Sequence, residues 1–116
     1  MKYLTTTNVF LALIFASSNS FAQEIEFGTA TVTEDYCVSL DTESPISEHY
    51  SIDISHLHLM TALEAVNKFG FISNNLLTYS VDYEAETAYL HVHLDRTPTN
   101  QDIIWWNDYV ESLCGL

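Results

Sequence analysis

Between Leu77 and Asp95 apolar and polar residues alternate twice, and that run constrains the fold more than any other part of the chain. Leu77, Tyr79, Val81 and Tyr83 alternate with Thr78, Ser80 and Asp82; Ala88, Leu90, Val92 and Leu94 alternate with Tyr89, His91, His93 and Asp95. A period of two puts successive side chains on opposite faces of a strand, so the run predicts an antiparallel hairpin with one buried and one wet face, turning at Glu84 to Thr87. A half-dry hairpin needs more strands beside it and a layer on its apolar face. The rest of the chain must supply both.

Further strands are expected from the same periodicity. Residues 24–33 alternate loosely, with Ile25, Phe27, Thr29 and Thr31 on one side, and Tyr36 to Leu40 offers a short strand carrying Cys37. Tyr50, Ile52 and Ile54 share one parity over about 49–54. Between them, Asp41 to Pro45 (DTESP) is an acidic loop closed by proline. The parity fails at Leu57 and Leu59. Leu59, Ala62, Leu63, Val66 and Phe69 then recur at helical spacing, predicting a helix over 56–69 that ends at Gly70, with Phe71 folding back on Val66. A last helix is expected to start at Thr97-Pro98 or at Thr99-x-x-Asp102 and to end at Gly115. Its buried stripe is Ile103, Trp106, Val110 and Leu113, with Trp106 inside and Trp105 the more exposed of the pair. The expected architecture is α+β: an antiparallel sheet of four to five strands with two helices on one face. A β-α-β-β-α fragment of a ferredoxin-like fold is the alternative.

Residues 1–22, MKYLTTTNVFLALIFASSNSFA, combine a short positive start, the apolar run Val9 to Ala16 and small residues before Ala22. They read as a cleaved secretory signal, because the apolar run is far short of the roughly 20 residues that span a bilayer. Residues 23–116 then form one domain, expected in the periplasm. An even pair of cysteines in an exported chain of this size, Cys37 and Cys114, reads as one disulfide.

The chain carries 16 Asp and Glu against 3 Lys and Arg, a net charge of −13. Removal of the signal takes away Lys2 and no acid, leaving Lys68 and Arg96 and a net of −14. Such a charge excludes nucleic acid and anionic membranes as partners, since both need clustered cations. It favours a basic protein, for which acidic loops speed encounter while aromatics supply tight contacts.

Chemistry-bearing motifs are few. The carboxylate pairs Asp41/Glu43 and Glu84/Glu86 fall in turns, where water screens them, and acid/base work needs one carboxyl held in an apolar pocket. No nucleophile elbow, metalloprotease motif or phosphate-cradling glycine loop is present, so neither an enzyme nor a cofactor is expected. His91 and His93 share one face of a strand and could bind zinc or copper with a third ligand from His49, His56 or His58. The competing reading leaves them as solvent-face residues with no metal. An envelope scaffold or adhesin accessory is a third class.

In overall design the chain resembles the small periplasmic immunity proteins encoded beside type VI secretion effectors. The likeness rests on the signal, the Cys37/Cys114 pair, the short acidic mature domain and the absence of catalytic motifs. It implies a cationic, lysozyme-like peptidoglycan hydrolase as partner, inhibited by occlusion of its active site, and it allows a homodimer. Independently of that likeness, Asp41, Glu43, Glu84 and Glu86 are the expected acidic contacts, with Tyr83, Tyr89 and Trp105 as anchors.

Overall fold

The computed structural model describes residues 26–114. The proposed signal, Ile25 and the Gly115 helix stop lie outside them. Five strands, β1 (Gly28–Val32), β2 (Val38–Leu40), β3 (His49–Asp53), β4 (Leu77–Asp82) and β5 (Thr87–Val92), form one sheet in the order β2-β1-β3-β5-β4. Two helices, α1 (Ala62–Phe71) and α2 (Ile103–Ser112), complete an α+β fold. Short 3-10 turns at Ser55–Leu57 and Leu94–Arg96 precede them.

The hairpin forms in the expected register, with Tyr79 opposite Leu90 and Val81 opposite Ala88. It turns one residue early, over Tyr83 to Glu86, where Glu86 takes a positive φ of 52°. Its apolar parity continues across the sheet through Tyr50, Ile52, Ala30, Val32, Val38 and Leu40, and onto this face pack Phe69 of α1 and Trp106 and Val110 of α2. In β1 it is therefore Ala30 and Val32 that face the core, while Thr29 and Thr31 face water. Tyr50 is almost completely buried, and its hydroxyl accepts a hydrogen bond from Ser47 N (3.0 Å). Gly28 stands opposite it, and a Cβ there would lie 2.6 Å from the Tyr50 ring, so glycine is what lets the ring lie flat on the sheet.

The sheet is mixed rather than wholly antiparallel. Strand direction alternates along β1, β2 and β3, but β2 occupies the outside edge and β3 returns to the other side of β1. Two strands of like direction thereby become neighbours, and β1 pairs with β3 in parallel. The crossover β3-α1-β4 leaves a gap that β5 fills, the split arrangement of the ferredoxin-like alternative. Both sheet edges are plugged. On β4, Asn74 Oδ1 accepts from Leu77 N (2.9 Å) and Ser73 Oγ from Tyr79 N (3.0 Å); on β2, Asn107 Oδ1 accepts from Leu40 N (2.8 Å).

The helices depart from expectation at their ends. Thr61 caps α1 by accepting from Glu64 N (3.0 Å), and Glu64 Oε1 in turn accepts from Met60 N (2.8 Å), so the helix starts at 62 rather than 56. Residues 55–57 form a separate turn ended by His58 at φ 54°. Gly70 lies inside the helix, and Phe71 projects into solvent instead of folding back on Val66. The expected stripe is also rotated: Ala65 and Phe69 are buried, while Leu63 and Val66 face outward. For α2, Asp102 is the cap, accepting from Trp105 N (2.9 Å), and the helix starts later than either expected signal. Trp106 is fully buried and Trp105 exposed, as the wheel requires.

Cys37, just before β2, is disulfide-bonded to Cys114, just after α2, across a Cα separation of 5.0 Å. The bridge and the hydrogen bond from Ser39 Oγ to Glu111 Oε2 (2.8 Å) hold α2 over the β2 edge. Among the described residues no helix is long and apolar enough to cross a membrane.

Candidate binding surface

The strand directions sort the acids by sheet end. Because β1 and β3 run in parallel and β5 runs against them, the β1-β2 turn, the end of β3 and the β4-β5 turn lie at the same end. That end carries Glu34, Asp35, Asp53, Asp82, Glu84 and Glu86, with no Lys or Arg in those segments. The Asp41/Glu43 loop lies at the opposite end, about 17–20 Å away by strand length. The four expected acidic contacts are therefore two separate pairs. Among the described residues, the only carboxylate in ion-pair range of a basic nitrogen is Glu48, 3.9 Å from His49 Nε2 and 3.9 Å from His91 Nε2. No carboxylate of the acidic end is in ion-pair range of a described Lys or Arg, although Lys68 reaches Tyr36 in its β1-β2 turn.

The two loops also differ in their bonding. Asp41 is occupied locally, its Oδ1 accepting from Glu43 N (3.0 Å) and its Oδ2 from Ser44 Oγ (3.4 Å). At the hairpin tip Asp82 Oδ1 accepts from Ala85 N (3.2 Å), while Glu84 and Glu86 project into solvent. Asp53 Oδ1 accepts from Ser55 N (3.0 Å), and the hydrogen bonds from Ser55 hold its carboxyl below the usual range.

The expected aromatic anchors occupy three different places. Tyr83 donates its hydroxyl to Leu59 O (3.0 Å) and walls a small pocket of about 310 Å³ with Ile54, Met60 and Glu86. Tyr89 lies on the open sheet face, 5.3 Å from the Phe27 ring. Trp105 stacks on Tyr109 at 5.7 Å on the outside of α2. Of these, only Tyr83 adjoins the acidic tip.

The open face brings three histidines together. His49 of β3 stacks on His91 of β5 at 4.8 Å, and His91 lies 4.1 Å from His93, whose Nε2 shares a hydrogen bond with Thr78 Oγ1 (2.8 Å). His56 and His58 belong to the acidic end, where His56 Nε2 donates to Val32 O (2.6 Å). Stacked rings aim their in-plane lone pairs side by side rather than at one point. Among the described residues no group of three or more His, Cys, Asp or Glu is placed to hold a metal ion.

One feature of the surface gave no signal in the linear pattern. The two helices sit over opposite edges of the sheet, α1 on β4 and α2 on β2, and a cleft opens between α1 and the β1-β2 turn, bordered by Leu113 just past α2. Its volume is about 750 Å³, and Tyr36, Leu63, Phe71, Ile72 and Leu113 supply its apolar walls. Asp35 and Glu64 stand at its acidic-end rim, and Lys68 reaches over the Tyr36 ring with its Nζ 5.5 Å from the centroid. Burial, and then the Glu64 charge, push the Tyr36 hydroxyl above its ordinary pKa. The cleft walls Leu63 and Phe71 are 68% and 86% exposed, and the apolar surface continues outside the cleft through Val66 of α1 (54%) and Met60 just before the helix (80%). Finding the cleft required the packing, because Leu63 and Val66 read equally well as core.

No protein-family model, no curated protein and no solved structure matches the chain.

Proposed function

We propose that this protein is a periplasmic immunity protein that binds and inhibits a cationic, lysozyme-like cell-wall hydrolase, of the kind delivered by type VI secretion. The observation that supports the reading is the acidic end, six carboxylates on three adjoining segments with no Lys or Arg among them and, among the described residues, none ion-paired to one. The opposite sheet end carries Glu26, Asp41, Glu43, Glu48 and Asp95 but also Arg96 and the Glu48–histidine contacts, whereas the six carboxylates here repel one another without an ion pair, which a basic partner would relieve. Occlusion of a hydrolase cleft calls for a protrusion, and the hairpin tip with Glu84 and Glu86 is one. The tip is preferred to Asp41 and Glu43 because it adjoins the remaining acids and Tyr83, whereas the Asp41 loop is bonded to itself.

The test is inhibition of a panel of cationic peptidoglycan hydrolases by residues 23–116. At least one enzyme is expected to be inhibited, with affinity falling as salt is raised. Glu84→Lys combined with Glu86→Lys should weaken that inhibition by roughly tenfold or more, equivalent to about 1.4 kcal/mol. Asp41→Lys combined with Glu43→Lys should change it by less. Inhibition that is indifferent to the tip reversal would sink the assignment of the tip, and no inhibition across the panel would sink the function.

A further inference from the structure

We infer that the cleft between α1 and the β1-β2 turn receives an amphipathic helical segment of the partner, apolar on one side and carrying Lys or Arg beside it. The inference rests on the proposed cationic partner and locates where its tight contacts fall. It starts from α1, which is apolar on two faces. Ala65 and Phe69 are buried against the sheet, yet Leu63, Val66 and Phe71 stand in water, as does Met60 just before the Thr61 cap, together exposing on the order of 500 Å². An ordinary surface helix has one apolar stripe and a polar opposite side. Here the second apolar side continues into a cleft of about 750 Å³, walled by Tyr36, Ile72 and Leu113.

The chemistry of the rim selects the occupant. Asp35 and Glu64 border the cleft against the single cation Lys68, and the other acids of that sheet end stand beyond them, so the rim is net negative and a segment whose apolar anchors are flanked by cations is complementary on both counts. A second copy of this chain would bring two acidic rims together, and an anionic bilayer would be repelled in the same way. An added β-strand is also a poor occupant, because Ser73, Asn74 and Asn107 already plug the sheet edges. What remains is the helix-in-groove mode, read by anchors one turn apart.

The test uses residues 23–116 and a synthetic Leu/Lys helical peptide about five turns long. A Lys/Ser peptide of equal charge and a Leu/Glu peptide serve as controls. The wild-type chain should bind the Leu/Lys peptide most tightly and the Leu/Glu peptide least. Leu63→Ser combined with Phe71→Ser alters two exposed side chains, so the thermal midpoint should hold while Leu/Lys binding falls about tenfold or more and Lys/Ser binding stays unchanged. Equal Leu/Lys binding by variant and wild type would overturn the inference. So would a dimer, seen by sedimentation, that the same substitutions disperse. If a cationic hydrolase is lost on Glu84→Lys and Glu86→Lys but not on Leu63→Ser and Phe71→Ser, the cleft assignment is wrong and the proposed function stands. Cleft-dependent peptide binding without any hydrolase bound would have the opposite meaning.

Discussion

His93 is the residue through which mild acid should cost stability, because its folded imidazole resists protonation. Burial, then the neighbouring His91 and Arg96, push its imidazole below the ordinary range, against the opposing pull of Asp95 and Glu48. Thr78 holds its Nε2, and His91 links it to His49 on β3. For a base, a lowered folded-state pKa means that the unfolded chain binds the proton more tightly, so stability rises with pH across the window and is lost as pH falls below about 6.5. Asp53, whose carboxyl is held low by Ser55, contributes stability that persists to more acid pH and is lost only as pH falls through its depressed pKa. The urea midpoint should therefore drop between pH 7.5 and 5, and His93→Gln should flatten part of that drop. Equal slopes for variant and wild type would refute the assignment. At this scale the sequence was legible where one period dominates, as for Trp106 inside and Trp105 outside. It was ambiguous for Leu63 and Val66, which share an apolar helix with Ala65 and Phe69. Composition there fits either face.

At the scale of elements, strand identity followed from alternation while boundaries followed from caps. The Thr61-x-x-Glu64 signal sets the start of α1, and Asp102 sets that of α2; both were present in the chain but competed with neighbouring patterns. The parallel pairing of β1 with β3 had no local signal, because it depends on which edge β2 takes. The disulfide joins the two elements at that edge. It closes a separation of 77 residues, for which loop entropy in the unfolded chain gives about 4 kcal/mol of stabilisation. Cys37→Ser combined with Cys114→Ser should lower the unfolding free energy by about that amount and raise the m-value, because the unfolded chain without the cross-link exposes more surface. A loss below about 1 kcal/mol would show that Asn107, Ser39 and Trp106 hold α2 on β2 without the bridge.

For the whole molecule, the decisive property is where the charge sits. With 16 acids, few cations and, among the described residues, no Lys or Arg paired to a carboxylate, added salt should screen repulsion without breaking ion pairs. Raising NaCl from about 20 mM to about 0.5 M, a shortening of the Debye length from roughly 20 Å to about 4 Å, should increase the thermal midpoint by about 5 °C. Glu84→Lys combined with Glu86→Lys should shrink that increase; an unchanged or lower midpoint in salt would show that the acids are too dispersed to repel.

The sequence by itself determined the charge, the α+β class, the hairpin with its two faces and the cysteine pair, because each depends on composition or on a period within one segment. Only the tertiary structure decided which acids are neighbours, that Asp41 and Glu43 stand apart from Glu84 and Glu86, that His49 joins His91 and His93, and that a cleft opens between α1 and the β1-β2 turn. Those are relations between segments far apart in the chain. They are fixed by strand order, and strand order depends on how the core closes rather than on any local pattern.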